Sequence, residues 1–343
     1  MPVLTEYSKP SADVAVDTEQ MIRDGEQMWS RQRHIAQALH GRPRREGCLI
    51  CADSLEAANS FVHRGISYSR CLTCGHVQSS MQPPEGYPYA LQDFADVYRP
   101  LDPDAYRDRT ERVYAPKLAW MLRAAEATGI GNLLDRSWVD LGCGAGYFID
   151  ALRRRGAARV AGVETDDVLV QQANAALGAT IVRRFGGTLA EAVRENPAEV
   201  YVAWFVIEHC FELRELFDAL RQSKPGTVFA FSVPALGVAT LLEGAFEGHY
   251  ARNLDSVLHL QLFTDGSIAH AMKQADHEIK AEWIFGQDAD DLYRAVITPL
   301  AGTHSTEVIA DEQARLLGCL SDIQAVIDRA RLADARHILA VRR

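Results

Sequence analysis

Four cysteines are spaced to hold a metal. Cys48 and Cys51 form one C-x2-C pair, Cys71 and Cys74 form another, and nineteen residues separate the two. Two such pairs, each on a tight turn, bring four thiolates to the corners of a tetrahedron, the geometry zinc takes in structural sites. Gly75 follows the second pair, where a knuckle turn calls for positive φ. The stretch SFVHRGISYSR between the pairs can supply a short hairpin. A redox C-x-x-C opens a helix after a strand, and neither pair does. His63 and His76 lie close by but are surplus to four sulfurs, while Cys143, Cys210 and Cys319 stand alone as buried or incidental thiols. A closed four-sulfur site has no open position, so the expectation is a zinc staple for a small domain, not a catalytic metal.

A second constellation is WVDLGCGAGYF, where Gly142, Gly144 and Gly146 follow a short apolar run. The spacing departs from the dinucleotide fingerprint G-x-G-x-x-G, and the Gly-Lys-Ser/Thr of a phosphate loop is absent. Asp140 ends the run, and a carboxylate there suits an ammonium group better than a pyrophosphate. The next run ends VAGVE, so Glu164 lies eighteen residues beyond Gly146, where an acid can accept from both hydroxyls of a ribose. S-adenosylmethionine fits the description of a ligand with a ribose and a cation and no need of phosphate. Further on, Glu208 and His209 follow the run EVYVAWF, and histidine titrates near neutrality, as proton abstraction requires.

These residues need a scaffold. From Ser137 the chain alternates short apolar runs (WVDLG, RVAGVE, ATIV, EVYVAWF, TVFAFSV) with helical patterns, which predicts a parallel sheet with helices on both faces. HEIKAEWIF and HILAVRR are expected to add edge strands. Upstream, residues 1 to about 20 read as a loose tail, and 21–40 read as a helix with Ile22, Trp29 and Ile35 inward. QPPEGYPY reads as a linker, and 104–128 as a helix that Pro116 breaks or kinks. The stretch from Ala235 to Leu262 is too long for a simple connection and reads as a lid carrying His249 and Tyr250. Tyr87, Tyr89, Tyr98 and Tyr106 read as packing residues, with covering the site as the alternative.

VDLGCGAGYF with VAGVE resembles the first two motifs of class I S-adenosylmethionine-dependent methyltransferases. EVYVAWFVIEHC, LRQSKPGTVFAFSVP and HLQLFTDGSIAHAMKQADHEI resemble later pieces of the same family in order, across roughly residues 116–343. With the four cysteines ahead, the arrangement is similar to sugar C-methyltransferases and related polysaccharide or natural-product methyltransferases. The resemblance implies an α/β Rossmann-like fold with a small N-terminal zinc-ribbon-like domain. It implies cofactor contacts from Asp140, Gly142, Cys143, Gly144, Gly146 and Glu164, and catalytic roles for Glu208 and His209, with His259 lining the pocket. Some quinone-pathway relatives bind a metal through E-x-x-E-H; Phe205 leaves that motif incomplete, so no catalytic metal is expected. The organisation read here is tail and helix at 1–46, zinc domain at 47–80, linker at 81–115 and cofactor domain at 116–343.

Composition narrows the acceptor. The 343 residues carry 46 acids against 36 Lys and Arg, a formal charge of −10, which repels phosphate backbones. The basic stretch of Arg31, Arg33, Arg42, Arg44 and Arg45 reads as a solvated face. The Asn/Asp-Pro-Pro-aromatic signature of amine methylation is missing, AWFV standing in its place. The expectation is methyl transfer to a sugar, nucleotide-sugar, glycan or natural-product intermediate. The alternatives are an RNA methyltransferase gripping RNA with its zinc domain, or a non-catalytic cofactor-binding module. No apolar run reaches the roughly 18 residues that span a bilayer, and the first residues lack a signal peptide's apolar stretch, so a cytoplasmic location is expected.

Overall fold

The computed structural model describes residues 2–9, 25–84, 102–246, 253–254, 259–300 and 306–343. Its centre is an eight-stranded sheet in the order β1-β11-β12-β9-β8-β5-β6-β7. The strands are β1 (Leu4–Tyr7), β5 (Trp138–Leu141), β6 (Val160–Glu164), β7 (Val182–Arg184), β8 (Val200–Trp204), β9 (Val228–Pro234), β11 (His277–Ile284) and β12 (Ala335–Arg342). β5 pairs in parallel with both β6 and β8, so the winding reverses between β5 and β8. In open α/β sheets that reversal opens a crevice at the carboxyl ends of the strands.

The apolar runs are near-continuous because both faces of the sheet are buried. Side chains alternate across a strand. Tyr201, Ala203, Phe229 and Phe231 enter one core with α6 (Leu189–Glu195), α7 (Leu213–Arg221) and α9 (Asp265–Gln274). Val200, Val202, Val228 and Ala230 enter the other with α3 (Ala115–Ala127) and α4 (Tyr147–Arg154). Burying each large apolar side chain contributes roughly 1.5–3 kcal/mol.

Four expectations change. Leu4–Tyr7, read as tail, pairs in parallel with β11 and forms the outer strand. HEIKAEWIF and HILAVRR are both interior, because β11 lies between β1 and β12 and β12 between β9 and β11, and Ala335 to Ala340 are buried to match. The run ATIV pairs only from Val182 onward. The 104–128 helix is interrupted beside Pro116, as expected: α2 (Pro103–Arg109) and α3 are joined by a wide π turn at Thr110–Tyr114. Pro116 has no N–H to give the Arg112 carbonyl, and Lys9 Nζ donates to that oxygen at 2.7 Å. In α1 (Gly25–Leu39) Ile35 is buried as expected. Ile22, Tyr87, Tyr89, Tyr98, His249 and Tyr250 lie outside the described residues, as does the side chain of Trp29. Part of the expected lid is helix, α8 (Val238–Ala245).

The four cysteines lie outside the strands of a smaller sheet, β10-β4-β3-β2, with Cys71 and Cys74 between its β3 and β4. Asn59–His63 (β2) and Ile66–Arg70 (β3) form the expected hairpin, and β4 is Val77–Ser79. Its fourth strand, β10 (Gln261–Leu262), arrives from almost two hundred residues later. That strand comes from the far end of the stretch expected to be a lid. The last helices are α5 (Asp167–Leu177), α10 (Asp288–Leu300) and α11 (Thr306–Arg329).

Candidate active site

The glycine turn leaves β5 at the winding reversal. Gly142, Gly144 and Gly146 all take positive φ, at 68°, 54° and 81°. At Gly142 a Cβ would lie 2.7 Å from Val206 Cγ1, so the turn and the segment after β8 close on each other. At Gly144 a Cβ would meet nothing within 4 Å, so that stretch of backbone is open to a ligand. Glu164 ends β6 beside it. Its Oε2 accepts from the Gly144 N–H at 2.8 Å, and Oε1 accepts from the Thr165 and Asp166 N–H groups at 2.6 and 3.2 Å. Asp140 is buried and has no hydrogen-bond donor among the described residues. Burial, and then the charge of Glu164, hold its carboxyl well above the usual range. Two buried carboxyls against bare backbone suit a cation carrying a diol.

Across the crevice, a short 3-10 turn at Ile207–His209 presents Glu208 and His209. His209 Nε2 lies 3.9 Å and His259 Nε2 4.0 Å from Glu208 Oε1, and the two imidazoles stack at 5.1 Å. Each of the three residues thus stands where the sequence brings it to the same spot, though His259 is fifty residues beyond His209. His259 Nδ1 donates to the Asn253 carbonyl at 3.1 Å, which leaves the Nε2 lone pair facing Glu208. Both Glu208 oxygens are buried without a hydrogen bond, and burial pushes the carboxyl up to about 8.

That value carries a stability consequence. The folded chain holds a proton on Glu208 that the unfolded chain gives up near 4.5, so this group's contribution falls as pH rises from about 4.5 to 8. Glu208→Gln is expected to flatten that fall. Urea unfolding of both proteins between pH 5 and 9 checks it; parallel profiles would refute the assignment.

The model of a methyltransferase domain matches residues 106–282, more than half of the chain. The chain belongs to this methyltransferase family. It is an S-adenosylmethionine-dependent methyltransferase with a Rossmann-like sheet. Among solved structures it is similar to a methyltransferase from Archaeoglobus fulgidus (16% identity, 70% of this chain, 97% of that one, TM-score 0.42). It is also similar to magnesium protoporphyrin IX methyltransferase from Synechocystis PCC 6803 (15% identity, 69% and 88%, TM-score 0.40). A third is geranyl diphosphate C-methyltransferase from Streptomyces coelicolor A3(2) (14% identity, 73% and 88%, TM-score 0.42). No curated protein matches the chain.

The methyltransferase's four cysteine sulfurs lie within 4.8 Å of one another. Cys48 to Cys74 and Cys51 to Cys71 are each 3.5 Å apart. Zn–S bonds of about 2.3 Å put tetrahedral sulfurs about 3.8 Å apart, so the cluster fits zinc. Both knuckles use a left-handed residue after the second cysteine, Ala52 at φ 65° and Gly75 at 76°. His63 and His76 do not join the sulfurs. His76 Nε2 instead donates to Gln261 Oε1 at 3.0 Å. Gln261 Nε2 in turn donates to the carbonyls of Glu208 and Cys210, at 2.7 and 2.6 Å. A buried chain of hydrogen bonds therefore runs from the second knuckle to the turn that carries Glu208.

Sequence reasoning missed Gln261, Arg109 and Lys117 in this methyltransferase. Arg109 stacks over the Tyr147 ring at 5.3 Å, at the start of the helix after the glycine turn. Tyr106, one of the four tyrosines singled out, donates to the Ala145 carbonyl at 3.1 Å and stacks on Tyr147. Cys143 is buried, Cys210 half-buried and Cys319 exposed. Among the described residues no helix is long and apolar enough to cross a membrane.

Proposed function

We propose that Asp140, Gly142, Cys143, Gly144, Gly146 and Glu164 hold S-adenosylmethionine, and that Glu208, His209 and His259 serve a small-molecule acceptor on the opposite wall. The carrying observation is the bare backbone at Gly144 flanked by the buried carboxyls of Asp140 and Glu164. Asp140 receives the cofactor's ammonium, Glu164 its ribose hydroxyls, and Arg109 lies where it can take its carboxylate. When bound, the cofactor supplies a methyl group already activated on sulfonium.

The protein's part is alignment and proton removal. A cluster of two imidazoles and a carboxyl can take a proton from the acceptor, which points to a hydroxyl or an acidic carbon. That fits a sugar, nucleotide-sugar, glycan or natural-product intermediate. His209 is the most accessible of the three, with 28% of its side chain exposed against none of Glu208. It takes the acceptor's proton, and Glu208 Oε1 lies 3.9 Å from its Nε2. Cys48, Cys51, Cys71 and Cys74 hold a structural zinc. In domain terms we assign residues 47–80 to the zinc module and 116–343 to the cofactor domain, with Leu4–Tyr7 added to the latter's sheet.

His209→Ala is expected to lower transfer of a labelled methyl group by about a hundredfold or more, with S-adenosylhomocysteine affinity unchanged. The assay is a panel of hydroxylated small molecules with the two proteins side by side. Equal turnover would remove His209 from the mechanism.

A further inference from the structure

Lys117 has 4% of its surface exposed, yet its ammonium makes no hydrogen bond or ion pair among the described residues. Lysines are almost never buried unpaired. Three rings enclose it: Nζ lies 5.2 Å from the centroid of Tyr114 and 5.0 Å from those of Trp204 and Phe205. Phe205 reaches that position from a left-handed φ of 56°, a backbone cost of about 1–3 kcal/mol that a bulky residue bears only where something is gained. Rings attract a cation but offer its three N–H groups no acceptor.

The charged groups around it come from four elements. Lys9 follows β1 and Arg109 ends α2, and both repel a further cation; Asp140 ends β5 and Glu208 follows β8, and both attract it. His337 of β12 completes the surroundings and is held neutral by burial. Asp140 belongs to the wall assigned to the cofactor and Glu208 to the wall assigned to the acceptor. The Lys117 charge acts on both carboxyls. Arg109 lies over the Tyr147 ring, at the start of the helix after the glycine turn.

We propose that Lys117 is an anion subsite for the acceptor, taking an ionised oxygen such as a carboxylate, a phosphate or an enolate. The word acceptor rests on the assignment of the Glu208 wall above; the anion site itself does not. An anion there supplies the missing hydrogen-bond acceptors and offsets the three cations. It also holds the acceptor between the methyl donor and His209.

The chain has five lysines, so their side-chain NMR signals can be resolved, and Lys117→Met identifies one by its loss. The test follows that signal in the S-adenosylhomocysteine complex during titration with formate and with inorganic phosphate. The expected result is a saturable shift with the Lys117 pKa rising by about one unit or more, a tenfold tighter hold on its proton, from a starting value near 7. Lys117→Met is expected to bind S-adenosylhomocysteine within about threefold of the native protein. Lack of any Lys117 response to either anion would overturn the proposal. So would a loss of about tenfold or more in S-adenosylhomocysteine affinity with 5′-methylthioadenosine, which lacks the carboxylate, unaffected; the lysine would then serve the cofactor. Should the native protein bind no S-adenosylhomocysteine, the cofactor assignment fails, and the anion titration on the free protein still reads Lys117.

Discussion

Removing the metal from the four cysteines, by a strong chelator or by Cys48→Ser, is expected to unfold more than a small appendage. Cys48, Cys71 and Cys74 are buried in the same apolar core as Ile207, Leu213, Phe263 and Ile268, which lie against the large sheet. Cys74 approaches α9 closely: Thr264 Oγ1 donates to its carbonyl at 3.3 Å, and a Cβ on Gly266 would lie 2.8 Å from that oxygen. Burial raises the Cys51 thiol, while Cys74 donating to Cys48 lowers that one. The expected loss is about 5 kcal/mol or more, since structural zinc contributes more than that in small modules. It should appear as a fall in melting temperature of about 10 °C or more. The chain His76–Gln261 then carries the disorder to the Glu208 turn, so faster amide exchange at residues 205–212 is expected after chelation. One zinc per purified chain is the companion result. A protein that purifies without metal and melts unchanged in chelator would refute the zinc assignment.

The second large effect is expected at Glu164. Glu164→Ala should weaken S-adenosylhomocysteine binding by about a hundredfold, or about 3 kcal/mol, because two hydrogen bonds to a charged, buried acceptor are lost. The same carboxylate accepts from Gly144, Thr165 and Asp166, so its loss also frees the turn that approaches the ligand. Glu164→Gln keeps one acceptor oxygen and should fall between the two. Calorimetric titration of the three proteins decides it, and equal dissociation constants would take the ribose away from Glu164.

How much of this was legible depends on how local each signal is. The cysteine pairs and the glycine turn are spelled out within a few residues, because a knuckle and a strand-to-helix turn each constrain neighbours in the chain. Glu164 was legible through the fixed length of one strand-helix-strand unit. His259 was reached through resemblance, and it does come to lie beside Glu208. The misses are long-range. Leu4–Tyr7 has the composition of any tail, and only β11, some 277 residues away in the pairing of Leu4 with Ala281, makes it a strand. A reader of HILAVRR sees a chain end and assigns an edge, whereas its unbroken apolar run is that of a strand buried on both sides. Lys117 looks like a solvated helix position until Trp204 and Phe205 are folded over it. Gln261 reads as nothing at all until its amide is found between the knuckle and the turn.

The central claim is that the turn after Asp140 cradles the cofactor while Glu164 holds its sugar. A crystal structure of the zinc-loaded protein with S-adenosylhomocysteine tests it most directly. The account predicts both ribose hydroxyls on the Glu164 carboxylate, the ammonium at Asp140 and the sulfur facing His209. A nucleoside found elsewhere, or crystals that take up none from a saturating solution, would contradict it.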